Sequence, residues 1–178
     1  MRVGEMHWIA RGVLVLVFCL ATLTSGAAAA ACYLTSWFSE EGNASAFCQP
    51  GYAVRGIFCS GANCDNKRLN CCDYAGSGYD RSVNFWWSQS FSEESPGQAV
   101  SSAAFVSGMA CKGSYCDNLR LNYFSSNLVQ NNGQCRFTPR FSEEGAGSAS
   151  CAGNEFVAGV RCTGGYCGNL ELWCCGRR

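Results

Sequence analysis

Phe38-Ser39-Glu40-Glu41, followed at fixed distance by Cys59-Ser60-Gly61-Ala62-Asn63-Cys64-Asp65-Asn66, decides the fold, because the chain says both phrases twice more. The first recurs at 91–94 and 141–144, at offsets of 53 and 50 residues. The second recurs at 111–118 and 162–169, at offsets of 52 and 51. A leucine closes each copy: Leu69, Leu121 and Leu172. Repetition at such a period marks one supersecondary unit used several times. Three units, each too small to bury a core alone, are expected to pack around a shared pseudo-threefold axis.

Residues 1–30 read differently. Arg2 and Arg11 precede an apolar run from Gly12 to Leu23, and a run of small residues follows. This is the pattern of a secretory signal peptide, and a run of this length is too short to span a bilayer. Residues 31–178 are then expected to form a single secreted domain with repeats at about 31–75, 84–125 and 134–178. Of the 15 cysteines only Cys19 falls in the leader, so the remaining number is even.

The sole histidine, His7, also falls in the leader. Its loss from the mature chain excludes Ser-His-Asp and Cys-His catalysis and any zinc site that needs histidine. Of the 13 basic and 13 acidic residues the leader takes Arg2, Arg11 and Glu5, leaving the domain close to neutral. Nucleic acid is not expected as a partner, since phosphate binding needs clustered Lys and Arg. No cofactor is implied, and no further membrane span.

The cysteines yield to the defect in the middle repeat. Cys32, Cys48, Cys59, Cys64, Cys71 and Cys72 match Cys135, Cys151, Cys162, Cys167, Cys174 and Cys175, whereas repeat two keeps only Cys111 and Cys116. Phe85, Val100, Tyr123 and Phe124 are read as filling its vacated positions. If every bond lies within a repeat, Cys111 pairs with Cys116, and by analogy Cys59 with Cys64 and Cys162 with Cys167. Cys32, Cys48, Cys71 and Cys72 then pair among themselves, as do Cys135, Cys151, Cys174 and Cys175. Cys71 and Cys72 are adjacent and point to opposite faces of a strand, so they take different partners; which takes which stays open.

The local periodicity is two. In 67–71, 119–123 and 170–174 the leucines share one face, opposite Arg68, Arg120 and Glu171. The segments 53–57, 105–109 and 156–160 also read as strands, each with a glycine (Gly56, Gly108, Gly159) that signals a bulge or the close approach of another backbone. A third strand runs into each Phe-Ser-Glu-Glu, as in 33–38 and 85–91. Stretches 73–84 and 125–134 read as linkers. No helical stripe follows the leader. The expectation is a disulfide-rich all-β domain of three repeats, a β-prism or alternatively a β-trefoil.

Cys48-Gln-Pro-Gly-Tyr-Ala-Val-Arg-Gly56, followed by Asp65-Asn-Lys-Arg-Leu-Asn-Cys-Cys72, resembles the repeat of the vitelline membrane outer layer protein I family. The resemblance covers about half of each repeat. It implies a β-prism and a secreted, carbohydrate-associated coat role. The Phe-Ser-Glu-Glu and Cys-x4-Cys phrases depart from that pattern.

For function, paired glutamates suggest a glycosidase, but an active site is unique and these pairs come in triplicate. The domain is therefore not expected to be an enzyme, and one glutamate of each pair is expected to serve its turn while the other is solvated. Glu40 and Glu41 with Asp65 and Asn66 form a weaker candidate site for calcium. The preferred reading is a lectin-like binding module. The Cys-x4-Cys loops present Asn63, Tyr115 and Tyr166 beside Asp65, Asn66, Asp117, Asn118 and Asn169, and an aromatic face with fixed polar groups suits sugars. Three such loops on one body gain by multivalency on an extracellular polymer. The alternative is a protease-resistant component of an extracellular coat, which self-associates. Asn43-Ala44-Ser45 is a glycosylation sequon.

Overall fold

The computed structural model describes residues 31–39, 42–74, 83–92, 96–113, 116, 118–127 and 129–178. The expected signal peptide, Glu40, Glu41, Tyr115 and Asp117 lie outside these. Repeat one contributes β1 (Cys32–Leu34), β2 (Phe38–Ser39), β3 (Ser45–Phe47), β4 (Tyr52–Ser60) and β5 (Asn66–Asp73). Repeat two contributes β6 (Asn84–Trp87), β7 (Phe91–Ser92), β8 (Gly97–Val100), β9 (Phe105–Lys112) and β10 (Asn118–Ser125). Repeat three contributes β11 (Asn131–Phe137), β12 (Phe141–Ser142), β13 (Gly147–Ser150), β14 (Glu155–Thr163) and β15 (Asn169–Arg177).

These form three antiparallel sheets of five strands, and none is made by one repeat alone. Each repeat lends its third strand to a neighbour: β3 pairs with β9, β8 with β14, and β13 with β4. The exchange closes in a ring, one to two, two to three, three to one. Three sheets packed on a common core make a β-prism, not the hairpin array of a trefoil. The central strands β4, β9 and β14 contact one another pairwise. They bury Val54, Val106 and Val157, with Ile57, Met109 and Val160, against the closing leucines 69, 121 and 172. No helix among the described residues is long and apolar enough to cross a membrane.

The repeated glycines satisfy both sequence expectations at once. The register shifts beside each of them, between Val54 and Gly56, between Val157 and Gly159, and opposite Gly108 at Asn122/Tyr123. Each also lies under the borrowed strand. A Cβ on Gly56, Gly108 or Gly159 would sit 2.9, 2.8 or 2.5 Å from a backbone oxygen of Ala149, Ala46 or Ala99. The borrowed strands can approach only where the host strand has no side chain.

Each repeat has five strands where the sequence reading gave three or four. The strand expected to run into Phe-Ser-Glu-Glu is broken by a hydroxyl that takes over one ladder bond. Thr35 Oγ1 accepts from Leu69 N–H at 2.9 Å, Ser88 Oγ from Leu121 at 2.9 Å, and Thr138 Oγ1 from Leu172 at 3.0 Å. The stretch 125–134 is not a free linker: β11 begins at Asn131, and Ser126, Val129 and Asn131 are buried.

Seven disulfides hold the domain, a density compatible with an extracellular location. The pairs left open by sequence are Cys32–Cys72, Cys48–Cys71, Cys135–Cys175 and Cys151–Cys174. Cys48 and Cys151 continue the lent strands, their N–H groups donating to Ser107 and Arg55 carbonyls of the host sheets. Cys48–Cys71 and Cys151–Cys174 therefore tie β3 and β13 back to their own repeats.

In repeat two the residue making the equivalent bond, to the Ala158 carbonyl, is Ser101 and not Val100. The reading of Val100 as a vacated cysteine position is one residue out of register. A one-residue slip moves a strand side chain to the other face, and Val100 is 42% exposed. Phe85 does stand opposite Phe124, as Cys32 opposes Cys72. Their rings, 6.3 Å apart, replace a crosslink by packing.

Candidate functional site

Each Cys-x4-Cys phrase forms the hairpin between the two central strands of a repeat. Its third residue turns with positive φ, +88° at Gly61 and Gly164 and +96° at Gly113, a region open to glycine at little cost. Two further residues follow in the left-handed region where side chains do appear: Asn63 at 53° and Cys64 at 56°, Tyr166 at 52° and Cys167 at 50°. Such a conformation is rare for a bulky residue, and Cys59–Cys64 and Cys162–Cys167 close the turns that impose it.

The consequence is exposure. Tyr166 is 83% accessible, more than any other large apolar side chain among the described residues. Asn63 occupies the same position in repeat one and is also exposed. Asn66, Asn118 and Asn169 begin the outgoing strands β5, β10 and β15 and are half-buried. Asn66 and Asn169 lie against the turn glycines, with Nδ2 3.6 and 3.5 Å from where a Cβ on Gly61 or Gly164 would stand. Asp65 donates its N–H to the Ala62 carbonyl at 3.1 Å and rests its carboxylate on Gly61. The loop thus holds a tyrosine or asparagine at its tip and amide groups at its base.

The first phrase serves the loops. Phe38 and Phe141 are buried in the common core. Glu143 is buried while Glu144 is exposed. The Glu143 N–H donates to the Gly168 carbonyl of its own repeat at 3.0 Å. Its carboxylate crosses to repeat one, 3.1 Å from Lys67 Nζ and against the Cys59–Cys64 bond. Burial raises its pKa above the ordinary carboxylate range, and Lys67 draws it only part of the way back.

Asn43 makes a similar crossing, Oδ1 accepting from Gly113 N–H of repeat two at 3.1 Å, while its side chain stays exposed at the sequon. Each such turn reaches over the loop of the repeat to which it lends a strand.

For metal, the one group of three ligand-type atoms among the described residues is Cys59, Cys64 and Glu143. Its two sulfurs are joined in a disulfide and offer no thiolate. Asp65 belongs to no such group.

Lys67 was missed by the sequence reading. The signal was present: it stands where the other repeats have Leu119 and Leu170, a charge in a leucine position. The outer sheet faces were missed as well. Arg68 lies 4.2 Å over the Trp37 ring, Arg120 4.2 Å over Trp87 and Arg161 3.6 Å over Phe137. Alternation had marked Arg68 and Arg120 only as the solvent side of a strand.

Compared with protein-family models, curated proteins and solved structures, the chain gives no significant match in any of the three.

Proposed function

We propose that this protein is a secreted, disulfide-stabilised binding module whose ligand is carbohydrate, taken by the Cys-x4-Cys loops. The observation that carries the reading is the Tyr166 ring, 83% exposed on a turn closed by Cys162–Cys167 and held in a left-handed conformation. A strained residue with an exposed aromatic side chain is a reason to look for function. A sugar loses little on binding a ring already held in place, because ordering has been paid for in folding. Asn63 at the same position in repeat one makes that loop a polar variant of the site. Screening the mature protein against glycan arrays and insoluble polysaccharides tests the proposal; binding to none of them sinks it.

A second reading, a coat component that self-associates, is favoured by a different observation. Phe85 and Trp86 are 59% and 42% exposed on β6, an edge strand of its sheet. Exposed aromatic edges are sites of association. Sedimentation velocity separates the readings. A monomer at high concentration rules out self-association through β6, whereas concentration-dependent oligomers unaffected by sugar favour it over the lectin.

A further inference from the structure

We infer that the outer faces of the sheets built on repeats one and two each carry a site for an anionic sugar residue, formed by Arg68 with Trp37 and by Arg120 with Trp87. This rests on the carbohydrate reading and deepens it by naming the class of sugar.

Arg68 and Arg120 occupy equivalent positions in β5 and β10, opposite Phe58 and Ala110. Each guanidinium carbon lies over an indole, 4.2 Å from the ring centroid. In both, Nε is buried and has no acceptor from the protein. Among the described residues, neither is ion-paired with a carboxylate. With no carboxylate from the protein beside it, each guanidinium keeps its positive charge open to an anion from outside along the edge not covered by the fold.

The third sheet shows the same face completed from within. Its residue at the Arg68 position is Glu171, whose Oε2 accepts from Arg161 Nε and lies 2.9 Å from Arg161 Nη2. Arg161 stacks on Phe137 at 3.6 Å, and Arg140 Nε approaches the same carboxylate at 3.7 Å. There the guanidinium comes from β14 and the carboxylate from the position of Arg68 and Arg120, so ring, guanidinium and oxyanion meet on this face, whereas the first two sheets supply only the ring and the guanidinium.

The chemistry of the missing part follows. A planar or tetrahedral oxyanion takes the outer Nη edge of the guanidinium through charge-assisted bonds. The exposed part of the indole, 43% accessible at Trp37, offers an apolar face for the ring that bears the anion. In the first sheet, Ser148, Phe58, Arg68 and Trp37 make a row across the strands, with Ser148 opposite Phe58 and Phe58 opposite Arg68. A polymer lying across the strands meets a hydroxyl, two rings and a cation in turn. A uronate carboxylate and a sugar sulfate share this chemistry.

The test uses the mature protein in affinity electrophoresis through gels of polygalacturonate, dextran sulfate or neutral dextran. Retardation by an anionic polymer is expected, and the two anionic arms separate carboxylate from sulfate. Arg68→Gln with Arg120→Gln is expected to weaken that retardation at least tenfold, and Arg136→Gln with Arg140→Gln, which removes an equal charge elsewhere, to leave it unchanged. Hydroxyl-radical footprinting of the wild-type chain needs no variant to fold: the anionic polymer is expected to protect Trp37 and Trp87 but not Trp173. Binding to neutral polymer alone, or anionic binding that leaves both tryptophans unprotected, overturns the inference while the carbohydrate reading stands. Binding to no glycan of any kind overturns both.

Discussion

Lys67 Nζ, from the first repeat, lies 3.1 Å from Oε1 of Glu143, from the third, and the two side chains are 0% and 7% exposed. The pair joins two repeats beneath the Cys59–Cys64 loop, so a charge takes the place in the core that leucine fills in the other repeats.

The two halves of this pair differ in how pH acts on them. Burial outweighs Lys67 in setting the Glu143 pKa, which is raised. Glu143→Gln leaves the buried Lys67 ammonium without its counter-charge and is expected to cost about 3 kcal/mol at neutral pH. Lys67→Leu strands a buried carboxylate and is expected to cost about 3 kcal/mol, a loss that shrinks as acid protonates Glu143. Urea unfolding at several pH values checks both.

The same shift has a sign. A raised folded pKa means that the folded state holds the proton more tightly than the unfolded chain does. The Glu143 contribution is thus fully present below the ordinary carboxylate pKa and is lost as pH rises through the raised value. In the wild type minus Glu143→Gln difference, stability is expected to fall with rising pH across that window. A flat or rising difference contradicts the burial argument.

Ser101, not Val100, stands in the position of Cys48 and Cys151. Ser101→Cys with Tyr123→Cys is therefore expected to form a disulfide on oxidative folding, and Val100→Cys with Tyr123→Cys is not. Non-reducing peptide mapping reads this directly. Without such a bond, β8 has no crosslink to its own repeat, and its amides are expected to exchange before those of β3 and β13.

Tyr123 is buried at that site, its hydroxyl has no partner, and burial pushes its pKa well above the ordinary value. Tyr123→Phe removes an unsatisfied polar group and is expected to stabilise the fold by about 1 kcal/mol, read as a higher Tm.

Gly159→Ala is expected to destabilise by about 3 kcal/mol. Its Cβ would stand 2.5 Å from Ala99 O and 2.6 Å from Val100 Cα, backbone atoms that cannot step aside. Gly145→Ala, with nothing within 4 Å, is the control and is expected to leave Tm unchanged.

The periodic Leu69, Leu121 and Leu172 made the strands and the threefold plan legible, and the repeat-two deletion pointed to the loop disulfides. The strand exchange was not legible. β3, β8 and β13 are short, and they pair across repeats, so nothing local in 45–47, 97–100 or 147–150 names a partner. Gly56, Gly108 and Gly159 recorded that some backbone comes close, but not whose. The linker reading of 125–134 failed because the buried Asn131 and Ser126 look like turn residues by composition. At the loops, Tyr166 was visible as a residue type, while its exposure depends on a backbone conformation that spacing does not encode. Arg68 and Trp37 are far apart in sequence, and the pairing of β1 and β2 with β5 brings them together.

Co-sedimentation of the mature protein with a panel of insoluble polysaccharides, wild type beside Tyr166→Ala, tests most directly that the disulfide-closed loop binds sugar. The expected result is retention of the wild type on at least one polymer and at least tenfold weaker retention of the variant, with its Tm unchanged. Retention of neither on any polymer, or equal retention of both, contradicts the account.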